Sequence, residues 1–318
     1  MTQPVATIVP YYQMEPGILR NALSSVFLQQ GVSVSHVYVI DDESPVPAAA
    51  EIIHLPSEWV AAITVIRQKN MGPAGARNSG LNAVAPGTEY VAFLDSDDTW
   101  RPDHLKDAID ALSYGLDFYF SDRWILESQL SGSDWRRDKY IPPLTPLIPQ
   151  RQIFRIEEGF LRLMMSSLVH TSGVVYRYSS LPTYRFQQRF NRAEDYLFFL
   201  AILQKVRAAA FCYRPGYDVG RGVSISRSRW GTIENLKGSR DVNRALQCVL
   251  RTYELSPTEI AEAHQYYRKS SRDLGTELLH HLMRGRVSHC IPIILSNPFL
   301  IKGIGSAVLR RRRKQDSA

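Results

Sequence analysis

Cysteine is scarce here: three residues in 318, Cys212, Cys248 and Cys290, widely spaced and odd in number. No Cys-x-x-Cys pair or Cys/His spacing accompanies them. That argues against a zinc module or a disulfide scaffold and for free thiols in a reducing compartment. The eight histidines form no ligand spacing either. The opening "MTQPVATIVPYY" lacks a basic start followed by a long apolar core, so it does not read as a secretory signal. No apolar run reaches the ~20 residues that a membrane-spanning helix needs. Charge imbalance is local. The chain carries +7, and Arg284 to Ala318 hold eight Lys or Arg against one acid, Asp316. The first 283 residues therefore balance at 30 of each sign, a neutral body with a basic tail.

What is present is a strand–helix alternation in a chain long enough for one large domain or two modest ones. "PVATIVPYY" is a β-branched run, and "ILRNALSSVFLQQ" has helical spacing that ends near Gly31. "SHVYVIDDESP", "AAITVIRQKN" and "EYVAFLDSDD" read as further strands, with "GPAGARNSGLNAV" a Gly-rich turn opening a helix. This order predicts an α/β fold with a parallel sheet and helices on both faces. Beyond it, residues 116–126 read as a strand, "DWRRDKYIPPLTPLIPQRQIF" as a Pro-rich excursion, and "IEEGFLRLMMSSLV" as an amphipathic helix. "TSGVVYRY" reads as a strand and "NRAEDYLFFLAILQKV" as a helix. Residues from about 235 to 285 are helical and polar, an appendage outside the sheet.

Two of the strands end in clustered acid: Asp41 and Asp42, then Asp95, Asp97 and Asp98. Like charges this close repel and are costly to bury without a partner. Ligands of such sheets bind at the carboxyl ends of the strands, so both clusters are expected at one cleft. A solvated turn accounts for either pair alone. Glu194 and Asp195 open a predicted helix, where the helix dipole offers a purely structural reason for acid.

Together, "TIVPYYQ", "VIDDESP", "QKNMGPAGARNSGL", "FLDSDDTW" and "NRAEDYLFF" resemble the family 2 inverting glycosyltransferases of the GT-A fold, over roughly residues 5 to 230. The opening is also similar to bacterial exopolysaccharide enzymes of the succinoglycan type. The resemblance implies a Rossmann-like, mostly parallel central sheet flanked by helices. It implies a GT-A domain over 1–230, with a nucleotide-binding half (1–100) and an acceptor-binding half (101–230), before a helical region (231–318). It implies a nucleotide-sugar donor, specifically a UDP-sugar, with Mg²⁺ or Mn²⁺ as cofactor. Asp97 matches the metal ligand of the Asp-x-Asp motif; Asp95 matches the ribose contact and also touches the metal through water, with Ser96 between them. Pro10 and Tyr12 fall where the base pocket is lined, and Asp41, with Asp42 beside it, matches the acid that reads uracil. Lys69, Asn70 and Arg77 fall in the segment that closes over the nucleotide, the alternative for Lys69 and Arg77 being plain surface charge. Asp195 matches the base that deprotonates the acceptor, with Glu194 its neighbour or an acceptor ligand. Thr171 and Ser172 match a segment lining the acceptor side. Trp100, at the cleft edge, either stacks on a sugar or packs in the core. One departure stands out: many relatives carry a His before a Ser-x-Ser pair, and "YDVGRGVSISRSR" has none. Arg221 would then supply the positive charge, with Ser224 or Ser226 on phosphate.

Arg310 to Lys314 form an unbroken basic run after apolar clusters. An interfacial segment attracted to anionic lipid fits, at ~1 kcal/mol per basic residue, against a frayed terminus as the plain alternative. Nucleic acid is a poorer partner, because aromatic residues to stack on bases are sparse beside this run. The expected protein is a peripheral enzyme at the inner face of the plasma membrane, moving a hexose to a lipid-linked oligosaccharide. The alternatives are a noncatalytic nucleotide-sugar-binding module and a basic nucleic-acid-binding protein.

Overall fold

A computed structural model describes residues 5–132, 142–221, 228–297 and 300. β1 (Val5–Tyr11) is buried along nearly its whole length, as a central parallel strand covered on both faces must be. It pairs in parallel with β2 (Val34–Asp41) on one side and β4 (Tyr90–Phe93) on the other, and β3 (Ile63–Arg67) extends the sheet beyond β2. β3 is half-exposed, consistent with an edge. The register sets Tyr11 opposite Asp41, and the Leu94 N–H bonds the Ile8 carbonyl, so all three strands finish along one rim. The chain runs from β1 to neighbours on opposite sides, and the crevice at such a switch point is where these sheets bind ligands.

The rest of the sheet is mixed. β10 (Val174–Arg177) inserts antiparallel between β4 and β6 (Phe118–Ile125), and β11 (Ala209–Val219) lies parallel to β6. β9 (Ile153–Ile156) and β8 (Thr145–Ile148) close that side, giving the order β3-β2-β1-β4-β10-β6-β11-β9-β8. The two-residue strand β5 (Thr99–Trp100), just past the Asp-x-Asp, pairs with β11, and another, β7 (Leu130–Ser131), pairs with β6.

Helix α1 (Ile18–Phe27) buries Leu19, Ala22, Leu23 and Val26, the i, i+3, i+4, i+7 stripe of an amphipathic helix. After the short helices α2 (Ala48–Ile52) and α3 (Ser57–Val60), helix α4 (Gly72–Ala83) approaches β1 so closely that a Cβ at Gly80 would stand 2.4 Å from the Ile8 side chain. This close contact lets the helix bring Arg77 to the rim.

The described chain forms two compact units: Met1–Gln188 with Asp195–Val223, and Arg189–Glu194 with Ser224–Ala318. In the second unit, the helices Ile233–Thr252, Pro257–Met283 and Val287–Ser296 enclose a small core of Leu236, Leu274, Leu278, Cys290 and Ile293. Ser256 and Glu259 make a capping box at the start of the long helix. This unit holds more than the expected appendage. Buried Asp241 accepts the Asn191 N–H at 3.0 Å, so residues 189–194 pack with the C-terminal helices. The run Arg310–Lys314 lies outside the described residues, and no described helix is long and apolar enough to cross a membrane.

Candidate active site

The Asp-x-Asp loop turns on itself through the Asp98 N–H to the Asp95 carbonyl, 3.0 Å. Along it, exposure alternates: Asp95 and Asp97 keep solvent access, while Ser96 and Asp98 are buried. Asp98 anchors the turn, accepting Ser172 Oγ at 2.6 Å and the Gly220 N–H at 2.9 Å. Gly220 is obligatory there, because a Cβ would sit 1.5 Å from the Asp97 carbonyl oxygen. Burial pushes the Asp98 carboxyl well up from its ordinary range, and the charges of Asp97 and Asp95 push it further, against the two hydrogen bonds.

Arg77 is buried, so the surface-charge alternative fails for it. Its Nη2 lies 2.8 Å from Asp95 Oδ1, and its guanidinium stands over Phe186, 5.4 Å from the ring centre. Asp195, near the start of the helix Glu194–Val206, is close enough to feel both partners. Burial raises its pKa and Asp95 adds to the rise, while Arg77 and the Tyr196 N–H, 2.9 Å from Oδ1, oppose it. The residue before the helix, Ala193, is left-handed at φ 69°, a conformation costly for a residue with a Cβ.

At the end of β2 the two acids have different partners. Asp41 Oδ1 accepts the Ser44 N–H at 2.8 Å, and Oδ2 accepts the Ala48 N–H at 3.0 Å with Arg67 3.6 Å away. This carboxylate is committed to its own turn, which corrects its assignment to uracil. Asp42 Oδ1 accepts Gln68 Nε2 at 2.8 Å and the Met71 N–H at 2.9 Å, tying the strand end to the start of α4. Its Oδ2 takes no hydrogen bond among the described residues. Pro10 is partly buried and Tyr12 exposed at the end of β1; Lys69 and Asn70 are exposed before α4, with the Asn70 N–H 3.2 Å from Glu43 Oε2.

The acceptor-side assignments need correction too. Trp100 is 4% exposed and donates through Nε1 to the Ser172 carbonyl at 2.7 Å, with its ring against His104. It takes the packing alternative and offers no face to a sugar. Thr171 and Ser172 are buried, and Ser172 Oγ also accepts the Asp95 N–H at 3.0 Å, so this segment positions the acidic loop. Glu194 is buried and packs within the second compact unit. Arg221 is 75% exposed by side chain, 3.9 Å from Glu127, too loosely held to replace a missing histidine. Ser224 and Ser226 lie outside the described residues.

Sequence reasoning missed Gln13. Buried at the end of β1, it donates through Nε2 to Ser96 Oγ at 3.1 Å, and its backbone exchanges hydrogen bonds with Ser44 Oγ. One residue, through side chain and backbone, thus joins three strand ends. Its only sequence signal is its place just past a strand.

Among the described residues no three His, Cys, Asp or Glu gather as a closed metal cage. Mg²⁺ and Mn²⁺ need none, since they accept one or two carboxylates and take the remaining oxygens from phosphate and water. Asp95 and Asp97 fit that pattern, and the charge they impose on Asp98 is what a divalent cation would relieve.

The model of the glycosyl transferase family 2 matches residues 7–182, more than half of the chain. The succinoglycan biosynthesis protein ExoW of Rhizobium meliloti is 38% identical, over 79% of this chain and 83% of its own length. ExoO of the same organism is 26% identical over 98% of this chain and 86% of its own. Among solved structures, S. aureus TarS 1-349 in complex with UDP aligns at TM-score 0.55 and 17% identity, covering 92% of this chain and 89% of that one. A mannosyltransferase of Pyrobaculum calidifontis in complex with GDP-Man and Mn²⁺ aligns at TM-score 0.54 and 15% identity, over 96% and 86%. At such identities the structures speak for the fold alone, and it is the GT-A fold. With acids at the ends of β2 and β4 on one rim and Arg77 against Asp95, the chain belongs to glycosyl transferase family 2.

Proposed function

We propose that the chain is an inverting glycosyltransferase that moves a hexose, glucose the first candidate, from a UDP-sugar to a lipid-linked oligosaccharide. The setting would be exopolysaccharide assembly, at the cytoplasmic face of the plasma membrane. Its succinoglycan relatives support the pathway class, and the TarS structures with UDP and UDP-GlcNAc support the donor class. The observation that carries the reaction is Asp195, held beside the Arg77–Asp95 pair with a carboxyl that burial makes more basic than usual.

In this reading Tyr12, Pro10 and Asp42 hold the uridine, and Lys69 and Asn70 sit over it. Asp97 and Asp95 would hold a Mg²⁺ or Mn²⁺ ion, which when bound would supply the positive charge that the departing diphosphate needs. Arg77 keeps Asp95 in place. Ionised Asp195 takes the proton of the acceptor hydroxyl as its oxygen bonds to the anomeric carbon. The bond from that carbon to the diphosphate oxygen breaks on the opposite face, so configuration inverts and UDP leaves. A positioned base contributes about 10²–10⁴-fold. The test is transfer from radiolabelled UDP-hexoses to lipid acceptors, with the product's anomeric configuration read by NMR. A β-linked lipid product from an α-linked donor, lost in Asp195→Asn while UDP still binds, is expected. A retained α-linkage, or an active Asp195→Asn, would overturn the mechanism.

A further inference from the structure

The helix Val287–Ser296 turns Cys290 and Ile293 into the core of its unit. Its other side carries Val287, Ile291 and Leu295 at i, i+4 and i+8, and Met283 ends the helix before it. With Trp230, these five side chains are 43 to 75% exposed. They sit at one place. Trp230 packs on His280, ring centres 4.4 Å apart, one turn before Met283, and Arg286 Nη1 bonds the Gly231 carbonyl at 3.0 Å. Scattered exposed aliphatics need no explanation, but an apolar row with a tryptophan at its head does.

From the turn before the helix to Lys314, the charge along the chain is of one sign. Arg284 and Arg286 occupy the turn before the helix, and Lys302 and Arg310 to Lys314 follow it in sequence. Between Glu277 and Asp316 the chain has no acidic residue. A ten-residue helix is about 15 Å long, half the thickness of a bilayer core, so it cannot span. An aliphatic stripe, a tryptophan suited to the water–lipid boundary and basic flanking sequence are the composition of a helix lying in the membrane plane. A second copy of the chain fits less well, because a symmetric contact would bring Arg284 and Arg286 against their own equivalents.

We propose that Trp230, Met283 and the Val287–Ile291–Leu295 face form a docking surface for an anionic lipid bilayer, with the helix lying in the interface and the basic flanking residues on the headgroups. The surface deepens the reading of a lipid-linked acceptor, and it gives the interfacial segment expected from the sequence a described apolar helix face, separate from the basic run. Its test uses vesicles free of donor and acceptor, so it can fail while the glycosyltransferase reading stands.

The experiment is co-sedimentation of the full chain with phosphatidylglycerol/phosphatidylcholine vesicles at low and high salt. UDP binding and circular dichroism monitor the fold. Wild type is expected to bind the anionic vesicles and to keep part of that binding at high salt. Ile291→Asp with Leu295→Asp should lower the affinity about 10-fold or more. Ser288→Asp, a charge on an exposed polar position of the same helix, should change it far less. Changing Arg310, Arg311, Arg312 and Arg313 to Gln should weaken low-salt binding and leave the salt-resistant part. Unchanged binding by the Ile291/Leu295 variant would overturn the proposal and return the membrane to the basic run. So would a wild type that ignores vesicles and forms a dimer that this variant dissociates.

Discussion

At the end of β2 the most deeply buried acid is Asp41, and at the end of β4 it is Asp98. Both accept two short hydrogen bonds, yet their surroundings are opposite. Asp41 is met by the backbone N–H groups of Ser44 and Ala48 and by Arg67. Asp98 is hydrogen-bonded by Ser172 and Gly220 but pressed by the charges of Asp97 and Asp95. The first cluster is close to satisfied by the protein itself. The second gathers three carboxylates at a cleft rim, with Arg77 paired to Asp95. An acid at a strand end is therefore not one thing: both hold turns, but only Asp98 does so under the charge of two neighbouring carboxylates.

That contrast predicts opposite phenotypes. Asp97→Asn should leave the melting temperature unchanged and lower turnover about 10²-fold, the scale of losing metal-assisted charge stabilisation. A stable variant with full activity would remove Asp97 from the chemistry. Asp41→Ala should do the reverse, costing about 3 kcal/mol in urea unfolding because two buried N–H groups lose a charged acceptor. If its stability held while UDP affinity collapsed, the uracil role would return to Asp41.

A third variant reads the field between the clusters and the base. Arg77 holds down the raised pKa of Asp195, so Arg77→Gln should raise it further. The base works only when ionised. The acid limb of the kcat–pH profile should therefore move to higher pH, by about one unit for loss of a nearby opposite charge. An unmoved limb would separate Arg77 from Asp195. The smallest effect concerns Asp98. Its folded pKa is raised, so the folded state binds its proton more tightly than the unfolded chain does. Wild-type stability should fall as pH climbs from the ordinary carboxyl range, ~4, to the raised value, and then level off. Asp98→Asn should flatten that slope and stay within about 1 kcal/mol of wild type at neutral pH, scored by thermal melts across pH. A slope that persists in Asp98→Asn would place it in another group.

The first four parallel strands were legible because each carries its own signal, an apolar β-branched run that in β2 and β4 ends in acid, and so was the Gly-rich turn before α4 that delivers Arg77. The Asp95-Ser96-Asp97 alternation and the helix bearing Asp195 were legible for the same reason. What could not be read depends on partners far away in sequence. Trp100 is buried because β5 pairs with β11 more than a hundred residues on, and Ser172 turns inward to hold Asp98. Gln13 matters only because two other strand ends close around it. Glu194 and Asp195 are neighbours that pack in different units, a division no local pattern announces.

The most direct test is calorimetric titration of the full chain with UDP, with and without Mn²⁺, beside GDP. The account predicts micromolar binding of UDP that requires the metal, with GDP at least about tenfold weaker, a difference of 1.4 kcal/mol. Binding that ignores the metal, or that treats UDP and GDP alike, would contradict a cleft built by Asp42, Asp95 and Asp97 for a metal-bound uridine diphosphate.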